Sequence, residues 1–168
     1  MSKRKFKNNL TYATLFSSAG VGCYGFKIEG YNCLATNEFI KSRLDIQRHN
    51  GIGHSEQSYI LGDISTQPIQ KKFFNAINGR KLDVLIATPP CQGMSVANHK
   101  KGDESKRNSL VVESIKICKS LEPKYFIFEN VRSFLKTLCT DIEGDNIPIS
   151  ESIYYSYRQL VPISQPLI

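Results

Sequence analysis

The sequence holds little that could staple or anchor it. Its five cysteines, Cys23, Cys33, Cys91, Cys118 and Cys139, contain no CxxC pair. They make no zinc-like spacing with His49, His54 or His99, so no metal site is expected. An odd cysteine count without a secretory signal points to free thiols in a reducing compartment. The basic opening, Met1-Ser-Lys-Arg-Lys-Phe-Lys7, is not followed by an apolar signal-peptide core. No apolar stretch is long enough to cross a bilayer. Internal repeats and low-complexity tracts are also lacking. Together these absences argue against disulfide-framed, zinc-module and membrane-spanning classes, and they predict a cytoplasmic protein.

What is present is ordinary globular material. The chain has 168 residues, 40% hydrophobic and 22% charged, which suits one soluble domain. At this length most apolar surface can be buried without covalent staples. The formal charge of +7 suits a polyanionic partner, although many basic proteins bind no nucleic acid. Residues 1–9 read as a basic tail, more a solvated segment than a binding arm.

Short apolar runs alternate with longer amphipathic segments. Thr11–Phe16, Cys33–Thr36, Tyr59–Leu61, Asp83–Thr88 and Tyr125–Glu129 read as five strands. Val21–Glu29, Glu38–His49, Ile69–Asn78 and Leu110–Leu121 read as helices between them. In the last helix Leu110, Val111, Ser114, Ile115, Cys118 and Leu121 share one face, and Pro123 stops it. This alternation predicts an α/β fold with a doubly wound, mostly parallel sheet. Ligands of such sheets bind beyond the carboxyl ends of the strands, so the loops after each strand carry the functional signal.

Those loops are rich in chemistry. After the first strand comes Phe16-Ser-Ser-Ala-Gly20, with Gly20, Gly22 and Gly25 in a GxGxxG spacing. Small residues here let a ligand approach the backbone at a helix start, although a tight turn without ligand has the same composition. Glu38, after the second strand, could take two ribose hydroxyls, and Phe39 could stack on an adenine. A favourable acid in a helix first turn would look the same. Asp63 could accept from an adenine amino group, or be an ordinary turn aspartate. After the fourth strand, Pro89 and Pro90 hold Cys91 just beyond the sheet, where a thiol is more reactive than one in a core. Glu129 ends the apolar fifth strand, where burial would raise its pKa and let it share a proton. A thiolate and a carboxyl facing an adenosine cofactor suit methyl transfer to an unreactive carbon. Thiolate addition at C6 of cytosine makes C5 nucleophilic, and the base must leave the helix stack to be reached.

These motifs, in this order, resemble the bacterial cytosine-C5 DNA methyltransferases over roughly residues 10–136. FSSAG resembles the family's FxGxG loop, NEF its second motif and GDI its third. PPCQGMS resembles its Pro-Cys motif and ENV its Glu-Asn-Val motif. Ser18 departs from the family, which often has glycine there. The resemblance implies the fold of S-adenosylmethionine-dependent methyltransferases, incomplete on its C-terminal side. It implies Cys91 as nucleophile, Glu129 on the cytosine ring and Asn130 ordering the Pro-Cys loop. Phe16, Ser17, Ala19, Gly20, Gly22, Glu38, Phe39, Asp63, Ile64 and Pro90 would surround S-adenosyl-L-methionine. Gln92, Ser95 and Arg107 would meet double-stranded DNA, and the segment from Lys101 to Leu110 resembles a mobile loop that closes over it.

The resemblance also implies a division into a tail (1–9), a cofactor-binding and catalytic domain (10–138) and a remnant (139–168) with one helix around Ser150–Leu160. No QxRxR motif or target-recognition region follows Val131. In the family's fold a strand from that later part flanks the fifth strand, so the resemblance implies that Tyr125–Glu129 is an exposed apolar edge. Two expectations follow: one subunit of a split enzyme whose second chain reads DNA, or a truncated remnant or non-catalytic partner. The rivals are a tRNA cytosine-C5 methyltransferase and, from GxGxxG, a nicotinamide-dependent oxidoreductase.

Overall fold

The structure, a computed structural model, describes residues 8–90, 104–130 and 135–158, with backbone alone at 104–109 and 157–158. Five parallel strands form one sheet: β1 (Thr11–Leu15), β2 (Asn32–Glu38), β3 (Tyr59–Leu61), β4 (Val84–Ala87) and β5 (Tyr125–Phe128). Their order is β3-β2-β1-β4-β5, so the winding reverses between β1 and β4. Tyr12–Leu15 and all of β4 are buried, as expected of central strands covered on both faces. The crossovers carry α1 (Val21–Ile28), α2 (Lys41–His49), α3 (Gln67–Ile77) and α4 (Glu104–Leu121). The α/β class and the parallel sheet agree with the expectation.

The described residues fall in two compact units. One holds the sheet: the residues up to Thr88 together with Pro123–Glu129. Its core joins Tyr12, Cys23, Cys33, Ile52, Val84 and Ile86, against which Phe26 and Tyr31 pack. Tyr12 and Phe26 stack with ring centroids 5.1 Å apart. The other unit holds Pro89, Pro90, α4 and the residues from Asn130 onward. There β6 (Leu138–Thr140) and β7 (Asn146–Pro148) form an antiparallel hairpin leading into α5 (Ile149–Arg158).

Several boundaries differ from expectation, each for a local reason. Glu38 ends β2 instead of opening a helix, because Thr36, Asn37 and Glu38 pair with Tyr59, Ile60 and Leu61. Phe16 leaves β1 with φ +57°, which ends the strand at Leu15. α3 begins at Gln67, with Pro68 in its first turn, and ends where Asn78 turns left-handed. α4 begins at Glu104, so the charged segment expected to be a loop over 101–110 is helical from that residue on. Val112 and Ile117 are buried along with Val111, Ser114, Ile115 and Cys118 of the predicted face of α4, whereas Leu110 and Leu121 are half-buried. The hairpin was not anticipated, and the expected boundary at 138/139 falls inside β6. The helix expected at Ser150–Leu160 is α5, starting one residue earlier. β5 forms the sheet edge, with Tyr125 66% and Ile127 41% exposed and no strand on its outer side among the described residues.

The amino-terminal edge of the sheet is clamped by an acid. Asp83 Oδ2 accepts from Thr11 N at 2.9 Å and Thr11 Oγ1 at 3.2 Å, and Lys124 Nζ lies 3.5 Å from Oδ1. The Thr11 backbone N–H, then the Thr11 hydroxyl and Lys124, hold the Asp83 carboxyl below the usual carboxylate range. A depressed folded value adds stability that is fully present above the unfolded pKa of about 3.9 and is lost as pH falls from there through the lower folded value. Asp83→Asn is therefore expected to lower stability by about 1–3 kcal/mol near neutral pH. The gap from wild type in urea titrations should narrow in acid; a gap independent of pH would show that the charge is not its source.

Candidate active site

The carboxyl ends of the strands meet at the reversal between β1 and β4. The loop after β1 is built from unusual backbone: Phe16, Ser18 and Gly20 have φ of +57°, +50° and +83°. Non-glycine residues take such angles at a cost, and functional turns are where they persist. Ser17 is buried and anchors the turn, its N–H and Oγ both reaching Asn37 O, at 3.0 and 2.9 Å. Asn37 Nδ2 in turn donates to Ile60 O at 3.1 Å and Gly62 O at 3.0 Å. Three consecutive strand ends are thereby tied by buried hydrogen bonds. Thr88 Oγ1, after β4, adds a bond to Phe16 O at 2.9 Å.

Glu38 sits at the centre of this edge. It is only 4% exposed, and its carboxylate takes Ser18 N on Oε2 at 2.8 Å and Ile40 N on Oε1 at 2.9 Å. Arg43 lies 3.9 Å from Oε1. Beside it Phe39 presents its ring to solvent, 71% exposed. A large aromatic left bare beside a held carboxylate is the pattern a stacking ligand would cover. Asp63 is exposed, and its Oδ1 accepts from Ser65 N and Ser65 Oγ at 2.9 and 2.7 Å, so one oxygen serves its own turn. Ile64 is buried. Ala19 is half-buried, and Gly22 is exposed in α1.

The ends of β4 and β5 carry the remaining candidates. The chain leaves β4 through Thr88 to a buried Pro89 and an exposed Pro90. Asn130 Nδ2 donates to Pro89 O at 2.8 Å, tying the residue after Glu129 to the stem of the Pro-Cys segment. Glu129 itself is exposed, which corrects the expectation that it is desolvated: its strand is the sheet edge. Cys91, Gln92 and Ser95 lie outside the described residues. Arg107 falls in the first turns of α4.

Two features escaped the sequence reading. Thr36 Oγ1 bonds Gln47 Oε1 at 2.7 Å and lies 2.8 Å from Ser17 Oγ, so Thr36 and Gln47 join the buried network. The available signal was a polar side chain, Gln47, three residues after Leu44 on the inner face of α2. The second feature concerns the glycines. A Cβ at Gly20 would meet Gln47 Cγ at 2.8 Å, whereas at Gly22 and Gly25 it would meet nothing within 4 Å. The third glycine of a dinucleotide fingerprint serves close helix–strand packing, and Gly25 has no such contact. The GxGxxG spacing is a coincidence of composition here.

The model of the C-5 cytosine-specific DNA methylase family matches residues 10–141. The type II methyltransferase M1.HgaI of Avibacterium volantium is 40% identical over 135 residues, covering 77% of this chain and 37% of that protein. M1.HphI of Haemophilus parahaemolyticus is 35% identical over 125 residues, with 73% and 32% covered. M.NgoPII of Neisseria gonorrhoeae is 33% identical over 128 residues, with 76% and 35% covered. The chain spans about a third of the length of these curated relatives.

Two outcomes are expected from the site as described. Gly20→Ala should cost about 1–3 kcal/mol through strain at positive φ and collision with Gln47, while Gly25→Ala should be neutral or slightly stabilising. Equal losses in thermal melts would refute the distinction. Burial pushes the Cys23 thiol up to about 11 and raises Cys33 and Cys139 as well. Cys118 is also buried. Alkylation of the native protein near neutral pH should therefore concentrate on Cys91, as read by peptide mass mapping. Early labelling at Cys23 or Cys33 would contradict it.

Proposed function

The chain belongs to the C-5 cytosine-specific DNA methylase family, and on that premise we propose that it carries the cofactor-binding and catalytic half of a methyltransferase acting on C5 of cytosine in double-stranded DNA. The observation that carries this reading is the carboxyl edge of the sheet. There a left-handed loop, a held Glu38 and a bare Phe39 adjoin. These residues fit an adenosine-bearing cofactor. Each Glu38 oxygen accepts one backbone N–H and keeps lone-pair capacity for a ribose hydroxyl. Phe39 offers a free aromatic face for adenine.

Phe16, Ser17, Ala19, Gly20, Gly22, Glu38, Phe39, Asp63, Ile64 and Pro90 are assigned to hold S-adenosyl-L-methionine. When bound, that cofactor supplies an electrophilic methyl group. Cys91 acts as the nucleophile: its thiolate forms a bond to C6 of an extruded cytosine, and C5 becomes enamine-like. Glu129, open to solvent in the structure, meets the ring near N3 and stabilises the charge that develops there. Asn130 is assigned to order the Pro-Cys segment, a role supported by its bond to Pro89 O. After methylation the C5 proton leaves to a base, the electron pair re-forms the ring double bond, and the C6–sulfur bond breaks. Gln92, Ser95 and Arg107 are assigned to DNA. No helix among the described residues is long and apolar enough to cross a membrane, and no metal-holding group occurs among them.

Two measurements test this. Isothermal titration is expected to give binding with S-adenosyl-L-methionine and none with NAD; the reverse would transfer the site to an oxidoreductase. With a complementary target-recognition half supplied, duplex DNA carrying 5-fluorocytosine should trap a covalent adduct on Cys91. The adduct should vanish in Cys91→Ser. An adduct that survives that substitution would remove Cys91 from the chemistry.

A further inference from the structure

Ser18 holds a backbone conformation that a side chain disfavours, with φ +50°. Both of its peptide groups are nevertheless engaged. Its N–H donates to Glu38 Oε2 at 2.8 Å, and its carbonyl accepts from Gln47 Nε2 at 2.6 Å. The other Gln47 N–H reaches Ser17 Oγ at 2.7 Å, and Gln47 Oε1 accepts from Thr36 Oγ1 at 2.7 Å. Gln47 is fully buried. A buried primary amide is costly unless its donors and acceptor are used, and here both donors and the acceptor are used. Its stem also lies where a Cβ on Gly20 would fall. One side chain from α2 thus braces the loop at Ser17, Ser18 and Gly20 together.

We propose that Gln47 is a positioning residue for the cofactor site: its amide holds Ser18 in the left-handed conformation and, through the Ser18 N–H, fixes the direction of the Glu38 carboxylate. This rests on the reading of Phe16–Gly20 and Glu38 as the cofactor site. Glycine takes positive φ without steric cost, so a loop with glycine at position 18 would need the brace far less. Positions 18 and 47 are therefore coupled.

The test uses the full chain in four forms: wild type, Ser18→Gly, Gln47→Met and the double variant. Affinity for S-adenosyl-L-methionine is read by calorimetry and folding by circular dichroism. Gln47→Met is expected to weaken binding at least about tenfold, and adding Ser18→Gly to recover most of that loss. Gln47→Met binding as tightly as wild type overturns the proposal. So does a loss that Ser18→Gly leaves untouched, which would make Gln47 a packing residue alone. If Gln47→Met fails to fold, the double variant decides: a folded, binding double variant supports the coupling, and an unfolded one overturns it. Silence from all four proteins, wild type included, overturns the cofactor assignment itself and this inference with it.

Discussion

A buried amide network holds the working edge of this protein together. Ser17, Thr36, Asn37 and Gln47 sit where three parallel strands end, and each spends its polar atoms on the backbone or side chains of a neighbouring strand or loop. In a low-dielectric interior such bonds are strong when complete and costly when broken, so the arrangement has one good solution. That solution carries the left-handed turn after β1 and the fixed carboxylate of Glu38. Without it, the loop would relax toward ordinary angles, and the turn and the Glu38 carboxylate would lose their mutual register.

The two edges of the sheet use acids for different ends. At the amino edge, Asp83 spends its carboxylate on Thr11 and Lys124, which joins β1 to β4 and leaves little capacity for anything else. At the carboxyl edge, Glu38 is equally buried but accepts a single backbone N–H on each oxygen. Burial alone does not separate a structural acid from a ligand-facing one. Glu38 differs from Asp83 in the lone pairs it keeps free and in the exposed Phe39 beside it.

Much of this architecture could be read from residue patterns. The apolar runs at Thr11–Leu15, Val84–Ala87 and Tyr125–Phe128 are strands because nothing else suits short, β-branched and aromatic segments between turns. Where the reading went astray, a local rule lost to a tertiary one. An acid before an amphipathic run suggests a helix start, yet Glu38 pairs with Leu61 as the last residue of a strand. A polar, charged stretch suggests a loop, yet α4 begins at Glu104. The β6–β7 hairpin has three-residue strands, too short for alternation to register. The candidate site was visible as motifs after strands, but the network beneath it was not. Thr36 and Gln47 lie eleven residues apart, and only the packing of α2 on the sheet reveals that they meet.

The placement of β1 governs how the molecule comes into being. β1 lies between β2 and β4, and its bond from Thr11 to Asp83 joins positions separated by 72 residues. During synthesis the first strand, its helix and the second strand emerge with half of the central pairing still to be made. Closing so long a loop is entropically slow, and parallel pairing offers no local hairpin to start from. The nascent chain must therefore keep its first strand unpaired on one side until the fourth strand leaves the ribosome, which makes that interval the natural point for a chaperone to act.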